Sequence, residues 1–137
     1  MPRTRAGPPI APVIHRSLVT GLLMLTGVMV VFKSSGMAAV VYSQSAGNVL
    51  TAVSFVILAV ALLFLKPRVP LRARHETVED YWSAAAPRVL PMWFVMEGAG
   101  LCAIAAYYLT SGTIAALAIG ISIGAFIWYG PRAFVDT

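Results

Sequence analysis

Charge is scarce in this sequence. Asp, Glu, Lys and Arg make up 11% of its 137 residues, while 59% are apolar; an average soluble domain has about 25% charged residues. A chain of that composition cannot cover itself with charge, so over most of its length the expected solvent is lipid. Cysteine occurs once, as Cys102 inside an apolar run, which excludes an intrachain disulfide and a metal site built from several cysteines of one chain. The two histidines are His15, at the end of the first apolar run, and His75, in a polar segment. Haem ligation within a bilayer needs axial ligands at depth, and both histidines are expected to be solvated instead. The six methionines sit in apolar runs, where packing is the usual role. There is no phosphate-cradling glycine loop, no nucleophile beside a base and no pair of carboxylates within one apolar run. The expectation is a protein without enzymatic activity, cofactor or metal site.

Four apolar stretches are present, at residues 17–32, 49–65, 89–109 and 113–129. Each comes close to the roughly 20 residues that cross about 30 Å of hydrocarbon. The shorter ones can reach by snorkelling, as Arg16 and Lys33 would at the two ends of the first. The prolines fall in tails, in the connection between the second and third stretches, or in a first helical turn. No small-residue cleavage site follows the first stretch, so it reads as a retained helix. The fold class predicted is an all-α integral membrane protein of four transmembrane helices arranged as two helical hairpins. Its parts are a basic, proline-rich tail (1–16), a first hairpin (17–65), a linker (66–88), a second hairpin (89–129) and a C-terminal tail (130–137).

Four spans put the tails and the linker on one side. That side carries Arg3, Arg5, Arg16, Lys66, Arg68, Arg72, Arg74, Arg88 and Arg132, leaving only Lys33 of the ten basic residues on the other. The bias places both termini and the linker in the cytoplasm and the chain in the cell membrane. It also accounts for the net charge of +5 as a topology signal and not as a surface for nucleic acid. Trp128 and Tyr129 at the cytoplasmic end of the last span, and Tyr107 and Tyr108 at the outer end of the third, fall where interfacial aromatics belong. Asn48 is a candidate N-cap for the second span; the apolar segment 37–42 before it either lies on the membrane surface or extends a helix. Arg16-Ser17-Leu18 and Arg88-Val89-Leu90, with Pro67-Arg68 and Pro131-Arg132, suggest tandem hairpins in one orientation. The accumulation of basic residues and prolines at any cytoplasmic helix end explains the same pattern.

The third span holds the one carboxyl group within an apolar run, in Pro91-Met92-Trp93-Phe94-Val95-Met96-Glu97-Gly98-Ala99-Gly100. Glu97 lies eight residues past Val89, roughly 12 Å along a helix axis, where an ionised carboxylate costs about 2.5–3.5 kcal/mol or more. Three readings stand. Glu97 binds a proton or cation for transport; it is protonated and hydrogen-bonds a carbonyl or Ser54, Thr26 or Ser122; or it meets a basic residue or a cofactor on another subunit.

Ala116, Gly120 and Gly124, four residues apart, make a small-residue face on the last span, and Gly98 and Gly100 make a second beside Glu97. Packing within the chain is the default for such faces, and contact between chains is the alternative. In the linker, Thr77-Val78-Glu79-Asp80 is a capping-box pattern that predicts a short cytoplasmic helix at the headgroup level, ended by Pro87. Tyr81 and Trp82 would anchor it, with Arg68, Arg72 and Arg74 facing lipid phosphates.

The function expected from these features is that of a non-catalytic accessory subunit, stabilising a larger complex such as an energy-transducing one, with the lipid bilayer and other transmembrane subunits as partners. The alternative is a homo-oligomeric transporter or channel with Glu97 as its proton- or cation-binding carboxylate. A third reading, an anchoring or assembly factor, would act through the basic linker and tails.

Overall fold

The computed structural model describes residues 9–36 and 43–135, and all its regular structure is helical. The segment 37–42 and the first eight residues lie outside the described residues. Helix α1 (Ile10–Ser34) starts behind Pro9, with Pro12 in its first turn, where a missing N–H costs nothing. It ends at Gly36, whose φ of 75° is a backbone state that glycine adopts without a Cβ clash. Helix α2 (Gln44–Val60) continues through a wide turn at Ala61–Leu65 and a tight one at Lys66–Arg68. Its N-cap is Ser43, whose hydroxyl accepts from the Ala46 N–H at 3.3 Å. Asn48, the expected cap, lies inside the helix and accepts a hydrogen bond from the Gln44 side chain.

Helix α3 (Val78–Thr110) starts where the capping pattern predicts, with Thr77 Oγ1 accepting from the Asp80 N–H at 3.1 Å. It does not stop at Pro87. The expected short interfacial helix and the third span are one helix of 33 residues, with Pro87 and Pro91 inside it. Both prolines are exposed, and each removes one backbone donor. The opposite face explains why the helix persists: Tyr81, Trp82, Ala85, Val89, Met92, Trp93 and Met96 form an unbroken buried stripe, and such packing outweighs a local propensity. Helix α4 (Thr113–Trp128) follows a tight turn in which Ser111 is left-handed, φ 52°. A last turn, α5 (Arg132–Val135), folds back so that Phe134 is buried and its carbonyl accepts from the Arg72 N–H at 3.2 Å.

Three helical stretches are long and apolar enough to cross a membrane: Ile10–Ser34, Gln44–Arg68 and Val78–Thr110. Helix α4 is equally apolar but has 16 residues, about 24 Å at 1.5 Å per residue. Each of α1, α2 and α4 packs on α3, whereas α1 and α2, consecutive in the chain, are not a closely packed pair.

Three contacts set the distances to α3. At Gly100 a Cβ would come within 2.7 Å of Leu22 of α1. The Ser54 hydroxyl of α2 donates to the Ala99 carbonyl at 2.7 Å, fully buried. At Gly47 of α2 a Cβ would fall 2.0 Å from Thr110 Cγ2 and 3.2 Å from the Ala106 carbonyl, and Thr110 is itself tied to that carbonyl through its hydroxyl. Gly47→Ala is therefore expected to push α2 off α3 and destabilise the bundle by about 1–3 kcal/mol. Gly120→Ala, where a Cβ meets nothing within 4 Å, should stay within about 0.5 kcal/mol of wild type. Thermal unfolding in detergent, followed by circular dichroism, compares the two.

Candidate functional site

The start of α1, the end of α4 and the first half of α3 meet at one end of the bundle, called here the basic end: Arg16 adjoins His15, Arg132 follows α4 in the chain, and Lys66 lies over the ring of Tyr129. A helix leaves its last four carbonyls without intrahelical donors, and at the end of α4 two of them are met by side chains from other helices. His15 lies 3.0 Å from the Phe126 carbonyl through Nε2. Since a carbonyl only accepts, Nε2 carries the hydrogen. Trp93 donates from Nε1 to the Tyr129 carbonyl at 2.9 Å.

The rings pack as well as bond. His15 is 4.6 Å from Trp93 and edge-on to Phe126 at 4.9 Å, and Trp82 stands 6.0 Å from Trp93. Gly130 leaves room for the imidazole, because a Cβ there would sit 3.1 Å from His15 Cε1. His15 is thus buried and bonded, not solvated as its place at the end of an apolar run suggested. The signal available was its spacing: Ala11, His15 and Leu22 repeat on one helical face, and all three are buried.

Glu97 lies one turn along α3 from Trp93. It is half-buried, and among the described residues its carboxyl group makes no hydrogen bond or ion pair. The side chains expected to serve it are elsewhere. Thr26 donates to the Leu22 carbonyl at 2.8 Å and Ser54 to that of Ala99, while Ser122 is buried on α4. Beside Glu97, Gly98 faces open space, so of the two glycines there only Gly100 serves a close helix contact. Ala116 is exposed, and nothing lies within 4 Å of a Cβ at Gly120 or Gly124. The small-residue face of α4 therefore points outward and packs against nothing among the described residues.

The basic and aromatic surface residues divide. Trp128 is 77% exposed and Trp82 only 4%, so Trp82 is a packing residue between Tyr81 and Trp93 and not a surface anchor. Tyr81 donates to the Pro70 carbonyl at 2.8 Å, which fastens the connection onto α3. Arg68 and Arg74 are exposed. Arg72 is partly buried and spends its Nε on the Glu76 carbonyl at 2.9 Å, closing the turn into α3. Arg72, Ala73, Arg74 and Val135 line a shallow depression of about 210 Å³. At the opposite end, Lys33 bonds the Ser111 hydroxyl and lies over the rings of Tyr107 and Tyr108. Among the described residues no three His, Cys, Asp or Glu side chains converge as a metal site would require.

Compared with known proteins, the chain matches no family model, no curated protein and no solved structure.

Removing only the indole N–H separates bonding from packing at the basic end. Trp93→Phe leaves the Tyr129 carbonyl without its donor and is expected to cost about 1–3 kcal/mol. Trp128→Phe, on the exposed side, should cost no more than about 0.5 kcal/mol. Urea or thermal midpoints in a fixed detergent measure both.

Proposed function

We propose that the chain is a four-span membrane protein and a non-catalytic accessory subunit of a larger membrane complex. In this reading α4 is the fourth span, reached by local thinning of the bilayer and by snorkelling at its ends. The basic end, with both termini and the connection before α3, faces the cytoplasm of the cell membrane. The length of α3 supports this placement. Its 33 residues extend about 50 Å, roughly 20 Å more than the hydrocarbon layer. The polar residues Glu79, Asp80, Ser83 and Arg88 all lie in its first third, which then projects at the basic end.

The observation that carries the subunit reading is the outward face of α4. Ala116, Gly120 and Gly124 are spaced for close approach of another helix, yet among the described residues no helix approaches them. Within a bilayer, association depends on such close contact because lipid already solvates larger apolar side chains. Helix α1 adds to the available surface: Met24, Val28 and Val31 are exposed, and few of its residues are buried. A subunit of this kind needs only shape and lipid compatibility.

The unpaired carboxyl of Glu97 favours a second reading, a homo-oligomeric transporter in which several copies of Glu97 line a shared site. Extraction of native membranes in mild detergent, with native separation and mass spectrometry of what migrates with the chain, separates the two. A set of larger, different subunits is the expected result. Migration as a small particle containing this chain alone would contradict the accessory role and support the transporter.

A further inference from the structure

Resting on the reading of the chain as one subunit among several, we infer that Glu97 is one half of an ion pair between subunits. The open edge of α3 between α1 and α2 receives a transmembrane helix of a different protein, which presents a Lys or Arg at the level of Glu97.

The edge is defined by what covers α3 and what does not. Trp93 and Gly100 mark the line on which α1 packs, and Ala99 and Ala106 the line on which α2 packs. Between them Phe94 and Leu101 are exposed and Gly98 has free space beside it. Because α1 and α2 do not pack closely on each other, neither closes over this strip. Glu97 lies at its border, three residues from Phe94 and four from Leu101, which makes all three neighbours on the helix surface.

Charge selects the occupant. An ionised carboxylate in an apolar layer is costly alone, and so is a lone cation; a pair at the same depth offsets both. Among the described residues no Lys or Arg pairs with Glu97. Four polar side chains of the neighbouring helices and of α3 itself are committed to backbone carbonyls: His15 to Phe126, Trp93 to Tyr129, Thr26 to Leu22 and Ser54 to Ala99.

Depth is consistent with a basic partner. Trp93 is level with the end of α4 through its bond to Tyr129, so Glu97, four residues on, lies about 6 Å deeper. That is within the length of a Lys or Arg stem reaching in from the cytoplasmic interface. The gap at Gly98 lets the partner's backbone come close enough for the two groups to meet.

The test uses the full chain in the complex extracted from native membranes. Dicyclohexylcarbodiimide, which attacks protonated carboxyl groups in apolar surroundings, is applied before and after the complex is dissociated by a harsher detergent. Modification of Glu97 is read by peptide mass. Glu97 is expected to be protected in the complex and modified in the released chain. Glu97→Gln should lower the amount of co-migrating partner about tenfold or more, as loss of one member of a buried charge pair does, and Glu97→Asp should restore most of it. Equal modification in the two states overturns the ion pair, and so does full retention of the partners by Glu97→Gln. A wild-type chain that migrates alone overturns the subunit reading and the foreign helix together. In that case, protection of Glu97 within a particle of this chain alone would assign the pairing to Arg16 of a second copy.

Discussion

A helix leaves its last carbonyls without intrahelical donors, and the bundle depends on how those at the end of α4 are met. Two donors from different helices, the imidazole of His15 and the indole of Trp93, take the carbonyls of Phe126 and Tyr129. Those bonds fix the start of α1 and the middle of α3 against the end of α4. Everything else at the basic end is stacked on them: Trp82 against Trp93, Tyr81 against Trp82, and the connection through Tyr81 to the Pro70 carbonyl. At the opposite end, the Gly47–Thr110 contact and the Lys33–Ser111 bond hold α2 and α1 to the turn between α3 and α4. Helix α1, which buries little else, is held mainly at its two ends and at Leu22.

The apolar runs made the helices legible in the sequence. What failed was the punctuation. Pro87 reads as a stop in the sequence, yet the helix runs through it, because a proline on the outer face removes a donor without disturbing the buried stripe from Tyr81 to Met96. Trp82 was assigned to the surface as part of a separate short helix; once the helix is continuous, its position falls on the buried face. Asn48 lost the cap to Ser43 because α2 starts a turn earlier than the apolar pattern does. Hydropathy averages over the polar first turns of a helix, so they are the part least visible to it.

The polar groups were harder still. His15 looked solvated because a histidine at the edge of an apolar run has no pattern of its own; only the unsatisfied end of α4, more than a hundred residues away, gives it a partner. Glu97 was visible as an anomaly, and the structure sharpens it: two of the hydroxyl groups that could have served it, those of Thr26 and Ser54, bond backbone carbonyls instead. The small residues of α4 were visible too, but spacing alone cannot say whether a face points inward. Gly100 and Gly47 prove to be the contacts within the chain, and Gly98, Gly120 and Gly124 are left open. The outward faces of α3 and α4 are apolar and closely approachable, and Glu97 marks the first of them, which supports the proposed role in assembly.

That proposal stands on the chain crossing the membrane with its basic end in the cytoplasm. The direct measurement replaces Cys102 with alanine and introduces single cysteines as Ser35→Cys, just past the end of α1, and Ala73→Cys, between Arg72 and Arg74. Both positions are exposed. A membrane-impermeant maleimide added to intact cells should label the cysteine at position 35, and should label the one at position 73 only after the membrane is opened. Labelling of both from the same side would contradict the account.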